Sequence, residues 1–163
     1  MAKRRFAENT TVSVERSKAE IEGLVIRYGA SAFQSGWQEG IAVVGFVMRD
    51  RRIRFTLPLP HRDDKKFAVT PVRGELRSQD ARLEAWEQAC RQKWRALCLA
   101  IKAKLEAVEC GIAQFEQEFL AYIVDPHTGQ TVGDVVVPQI AQSYLGVETK
   151  AIALLPAPTS TGK

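Results

Sequence analysis

Between Leu83 and Phe119, apolar side chains return every three or four residues: Leu83, Trp86, Cys90, Trp94, Leu97, Ile101, Leu105, Val108, Ile112, Phe115 and Phe119. That interval is the period of an α-helix with one buried stripe, so the segment must lie as a long amphipathic helix against another apolar surface. Ser78 stands where an N-cap belongs, and the segment is one long helix or two helices meeting near Gly111. Ala85, Ala89, Ala96, Ala100, Ala103 and Ala107 form a second stripe beside the first. Alanine favours helix in any setting, and the stripe equally suits close approach of a second backbone, which Leu99 beside it favours. Arg91, Arg95 and Lys102, with Glu84, Glu106 and Glu109 toward the ends, predict a solvated, ion-paired third face.

The surface under that helix is written upstream. Ser17-Lys18-Ala19-Glu20 has the spacing of a capping box, and Ile21, Leu24, Val25 and Tyr28 follow at helical intervals until Gly29, so a short helix is expected there. From Ser31 the period becomes two. Phe33, Ser35 and Trp37 alternate up to the Gln38-Glu39-Gly40 turn, Ile41 to Met48 is a nearly continuous apolar run rich in β-branched residues, and after Arg49-Asp50-Arg51 the residues Arg52, Arg54 and Thr56 alternate with Ile53, Phe55 and Leu57. Pro58 and Pro60 end the third strand. The pattern predicts an α+β fold: a short N-terminal helix, a three-stranded antiparallel meander and the long helix packed on it.

Residues 61–77 hold charges, Pro71 and Gly74 without a period, and read as a long loop or a partly ordered crossing segment. Asp125-Pro126-His127-Thr128-Gly129 has the composition of a turn. Beyond it, Thr131 to Asp134 caps a last helix reaching Tyr144, with Pro138 early in it or kinking it, or else Gln130–Val137 is a strand. The expected organisation is a flexible N-terminus at 1–12, one domain at 13–145 and a flexible tail at 146–163. A length of 163 residues with 45% hydrophobic residues suits one such domain.

Charge is uneven. Residues 1–80 carry fifteen Lys/Arg against ten Asp/Glu, and 81–163 carry eight against nine. Most of the excess lies in 49–77, and a cationic patch attracts polyanions and acidic protein surfaces alike. The third strand presents Arg49, Arg51, Arg52 and Arg54, with Arg62, Lys65 and Lys66 in the following loop. These are the expected phosphate contacts, and Trp37 or Phe33 on a neighbouring strand the expected base-stacking residue.

Catalysis and metal binding find no motif. Cys90, Cys98 and Cys110 have no C-x-x-C spacing and read as small buried thiols. His61 near Asp63 and Asp64, and His127 near Asp125, are the two acid/base pairs worth placing in the fold. There is no P-loop, nucleophile elbow or nucleotide-binding glycine run, so no catalytic residue, metal or cofactor is assigned. No stretch has the apolar length of a membrane span, and the start lacks the apolar segment of a signal peptide, so a cytoplasmic location is expected.

The order α, β, β, β, long α resembles the double-stranded RNA-binding domain, but the 61–77 segment exceeds that family's short link and its basic helix-start motif is missing from Ser78 to Leu83. In topology, residues 31–110 also resemble the β-β-β-α core of ring-forming single-strand annealing proteins. Separately, Ile21 to Gly29, Ser35-Gly36-Trp37-Gln38-Glu39-Gly40 and Trp94 to Glu109 look like a family of small phage and prophage proteins, over residues 15–145. That resemblance implies a mobile-element origin and the cytoplasm of a bacterial host, and supplies no residue roles. The expected function is a non-enzymatic nucleic-acid-binding accessory protein, with DNA favoured over RNA, forming homo-oligomers. The alternative is a protein-interaction module or inhibitor docking on a host or phage enzyme.

Overall fold

The computed structural model describes residues 7, 9–38 and 40–145; the tail expected at 146–163 and most of residues 1–8 lie outside the described residues. The element order is helix α1 (Val14–Arg27), strands β1 (Ala32–Gln38), β2 (Ile41–Met48) and β3 (Arg51–Pro58), a short helix α2 (Lys65–Ala68), the long helix α3 (Gln79–Glu109), α4 (Phe115–Phe119), a 3-10 turn (Leu120–Tyr122) and α5 (Val132–Ser143). This is the α+β architecture the periodicities predict.

Helix α1 starts four residues before the expected box. Ser13 is its N-cap, accepting the Arg16 N–H, and Ser17 lies inside the helix, fully buried. The helix ends in a Schellman turn, with Ala30 N–H donating to the Val25 carbonyl, Gly29 N–H to that of Ile26, and Gly29 at φ 93°. The strands then form an antiparallel sheet in the order β1-β2-β3. Gly45 faces Gln34 on one side and Arg54 on the other, while Ala42 faces Trp37 and Leu57. Because side chains alternate, Ala42, Val44, Phe46, Met48, Ile53, Phe55 and Leu57 share the face that packs on the helices. Ala32, Gln34, Gly36, Val43, Gly45, Val47, Arg52, Arg54 and Thr56 share the other.

Helix α3 lays Trp94, Leu97, Cys98, Ile101 and Leu105 on that core, and α1 packs along it through Ile21, Leu24 and Val25. Glu20 and Arg95 form a salt bridge between the two helices. At Gly111 the stripe does break. Ile112 N–H donates to the Ala107 carbonyl and Gly111 N–H to that of Val108, so the chain turns before α4. The turn carries Ile112 out to solvent and brings Phe115 and Phe119 back into the core, where Phe119 meets Phe46 and Phe55 edge to face. The second, alanine stripe has no helix over Ala96, Ala100 or Ala103, which are exposed.

Two readings left open by the sequence are resolved. Segment 61–77 is ordered: α2 is followed by a bridge between Val69 and Leu76, with Arg77 N–H donating to the Ala68 carbonyl. The last segment is a helix and not a strand, because Thr131 and Asp134 complete a reciprocal capping box. Before α5, Ile123 bridges Ile53 and Val124 N–H donates to the Arg52 carbonyl, which closes part of the outer edge of β3. The expected looseness of residues 1–12 is limited at Thr10, whose carbonyl accepts from Gln88 Nε2 at 2.9 Å. Among the described residues, no helix is long and apolar enough to cross a membrane.

Candidate nucleic-acid interface

The seven residues expected to contact nucleic acid fall in separate places. Arg52 and Arg54 lie side by side on the open sheet face, as the alternation of β3 requires. Arg54 is not free there, since its guanidinium reaches Asp134 at 3.4 Å. Arg51 is exposed at the start of the strand. Arg49 occupies the β2–β3 turn, where it and Asp50 take positive φ (49° and 58°), and its guanidinium lies 5.3 Å from the Phe115 ring centre. It caps the core at α4 and does not extend the Arg52/Arg54 face. Lys65 and Lys66 sit on α2, beyond the opposite end of β3, and Lys66 pairs with Asp64 at 2.9 Å.

Trp37 is placed on the other face of the sheet from Arg52 and Arg54. It pairs with Ala42, whose side chain is buried under the helices, while Gly45 and Val47, the partners of Arg54 and Arg52, belong to the open face. The expected surface of arginines with Trp37 beside them therefore does not form. A one-residue offset decides the matter, because neighbouring residues of a strand point to opposite faces.

What does form is a cleft of about 700 Å³ between the N-terminal half of α1, the β1–β2 turn, the loop after β3 and the N-terminal half of α3. All three tryptophans of the chain line it. Trp94 is its buried floor, Trp86 is half-buried in its wall with the indole N–H donating to the Pro60 carbonyl at 2.9 Å, and Trp37 stands 75% exposed at its mouth. Lys18 Nζ lies 4.8 Å from the Trp94 ring centre and the Arg62 guanidinium 5.9 Å from that of Trp86. Neither cation shares an ion pair with a carboxylate among the described residues. Arg91, also lining the cleft, is held on its own helix by Gln88 and Glu87. The acids Glu15, Asp63 and Glu87 complete the rim.

The arrangement offers flat aromatic faces with cations beside them, which suits binding of planar groups attached to negative charge. Cys90, in the wall, has its thiol pushed up by burial and stays protonated. Cys98 is buried outside the cleft and is pushed up to about 11 by burial, whereas Cys110, expected to be buried, is exposed at the end of α3. His61 lines the cleft, with its Nδ1 3.8 Å from Asp63 Oδ2, while His127 lies in the exposed turn before α5, its N–H donating to Asp125. The described residues hold no cluster of three His, Cys, Asp or Glu side chains able to ligate a metal.

Sequence reasoning missed the convergence of Trp86, Trp94, Lys18 and Arg62 with Trp37. Trp86 and Trp94 read correctly as members of the helical stripe, but what faces them, the start of α1, the β1–β2 turn and the loop after β3, is brought together only by the fold. Comparison with protein-family models, with curated proteins and with solved structures finds no match to the chain.

Proposed function

We propose that this chain is a non-enzymatic nucleic-acid-binding accessory protein of phage type, acting in the cytoplasm of a bacterial host, and that it grips a single strand in the tryptophan cleft. The observation that carries the reading is the convergence of Trp37, Trp86 and Trp94 with Lys18 and Arg62 in one open cleft. An exposed base stacks on Trp37 and Trp86, and the phosphates on either side meet Arg62, Lys18 and the neighbouring Lys65 and Lys66. Single strands suit such a site better than duplexes, because their bases are free to leave the stack, and a base on an aromatic platform is worth about 1–3 kcal/mol. The Arg52/Arg54 face is the competing phosphate surface, and a single strand in the cleft does not touch it.

Fluorescence anisotropy with labelled single-stranded DNA, duplex DNA and RNA at two salt concentrations tests this reading. The expected result is binding to single strands that weakens with salt, quenches tryptophan emission, and falls roughly tenfold or more in Trp37→Ala and in Arg62→Glu. Loss of binding in Arg52→Glu/Arg54→Glu with Trp37→Ala unaffected would move the contact to the open sheet face. No binding at low salt would retire the nucleic-acid reading.

A second reading is favoured by α5, whose Val137, Ile140 and Tyr144, with Leu145 after it, are all at least half exposed. An apolar helix face of that kind suits a protein partner, such as a host or phage enzyme. A complex that survives nuclease treatment and is lost in Ile140→Glu would support it.

A further inference from the structure

The structure holds a second feature, which shares Trp37 and Gln38 with the cleft. Strand β1 is an edge of the sheet, and its seven residues, Ala32–Gln38, include no charged residue and no proline. Natural edge strands of this length are ordinarily blunted by such residues, because their outward N–H and C=O groups template pairing with another chain. The far edge of the sheet is different: Ile123 and Val124 already pair with β3 at Ile53 and Arg52. With that edge partly closed, head-to-tail pairing of β1 on β3, the route to a strand-linked ring, is obstructed, and β1 is left to pair with its own kind.

We infer that two copies of this chain associate through antiparallel pairing of β1 with β1, around a twofold axis at Ser35, giving a continuous six-stranded sheet. The register follows from the backbone. Alternate residues of an edge strand point both N–H and C=O outward, and a new antiparallel ladder can only match residues of the same alternate set. Two paired residue numbers must therefore sum to an even number, and among those registers only the one centred on Ser35 uses the whole of Ala32–Gln38.

That register is also the complementary one. It sets Phe33 opposite Trp37 of the second copy, twice by symmetry, Gln34 opposite Gly36, and Ala32 opposite Gln38. Aromatic cross-strand pairs contribute to sheet stability, and no like charges meet anywhere along the seam. Trp37 would then lose much of its 75% exposure while remaining at the mouth of the cleft.

Sedimentation equilibrium of the full-length protein, with two substitutions at Ser35, tests the inference. Ser35 is exposed, so Ser35→Lys should leave the circular dichroism spectrum unchanged while placing two ammonium groups face to face at the axis; the expected result is a dimer mass for the parent and half that mass for the variant. Ser35→Cys, in a Cys110→Ser background to remove the exposed thiol, should form an intersubunit disulfide under mild oxidation. Cα atoms of directly opposed residues are about 4.5 or 5.5 Å apart, within disulfide range. The cross-link decides the matter even if Ser35→Lys fails to fold. A parent protein that is monomeric at every concentration overturns the inference. So does a dimer that resists Ser35→Lys and gives no Ser35→Cys cross-link; if Ile140→Glu then dissociates it, the interface lies on α5.

Discussion

Arg54, on the open face of the sheet, reaches Asp134, the third residue of α5, across 3.4 Å, so the sheet and the last helix meet through the acid of a capping box. Asp134 Oδ2 also accepts the Thr131 N–H at 3.0 Å. Hydrogen bonds from Thr131, and then the Arg54 charge, hold the Asp134 carboxyl below its ordinary value of 3.8.

A depressed acid stabilises the fold only while it is ionised. The contribution is complete above pH 3.8 and is lost as the pH falls through the lowered native value. We expect the start of α5 to fray in acid before the sheet does, seen as faster amide exchange at Val135–Val137 with β2 still protected. In Asp134→Asn that step should disappear. Equal acid sensitivity in α5 and β2 would show that the pair does not govern the helix.

Gly133 fixes where α5 sits. A Cβ built there would stand 2.7 Å from the Ala121 carbonyl oxygen, and that neighbour is backbone and cannot rotate away. Gly133→Ala should therefore cost about 1–3 kcal/mol although alanine is the better helix former. Denaturant melts would check the cost, and a stabilised variant would mean that α5 docks elsewhere.

Trp94 and Trp37 line one cleft and should behave oppositely. Trp94 is 2% exposed beneath α1 and the sheet, and Trp94→Ala should cost about 3–5 kcal/mol, enough to endanger the fold. Trp37→Ala, exposed in the single chain, should stay within about 0.5 kcal/mol of the parent at concentrations too low for association, while weakening single-strand binding. A Trp37→Ala variant that melts early would instead make that indole part of the core.

Most of the fold was legible because its signals are local and periodic. The three strands and the two faces of β3 follow from spacing alone, whereas the stripe runs on at helical spacing through Gly111 and left one helix or two open. The candidate site was less legible because it depends on relationships that no local pattern records. The parity of Trp37 relative to Arg54 comes from the register of two successive ladders, and the cleft comes from the meeting of α1, the β1–β2 turn and the loop after β3 over the N-terminal half of α3. The same limit applied to α5, where three successive valines suit a strand until the Thr131–Asp134 box settles the backbone.

The capping box expected at Ser17 went wrong for a reason that yields the last prediction. Ser13 takes the cap, so Ser17 falls a full turn into α1, on the face that carries Ile21 and Leu24 into the core. There its hydroxyl is buried without a hydrogen-bond partner. A buried polar group left unpaired costs about 1–3 kcal/mol, and serine is a poorer helix former than alanine. Ser17→Ala removes one oxygen and leaves little space behind, so it should raise stability by about 1 kcal/mol, read as a higher denaturation midpoint with an unchanged slope. Ser13→Ala should do the reverse at a similar magnitude, because there the hydroxyl does cap the helix. If Ser17→Ala instead destabilised the protein, the hydroxyl would have to be satisfied by a bound water, and the interface of α1 with the core would be wet at that point.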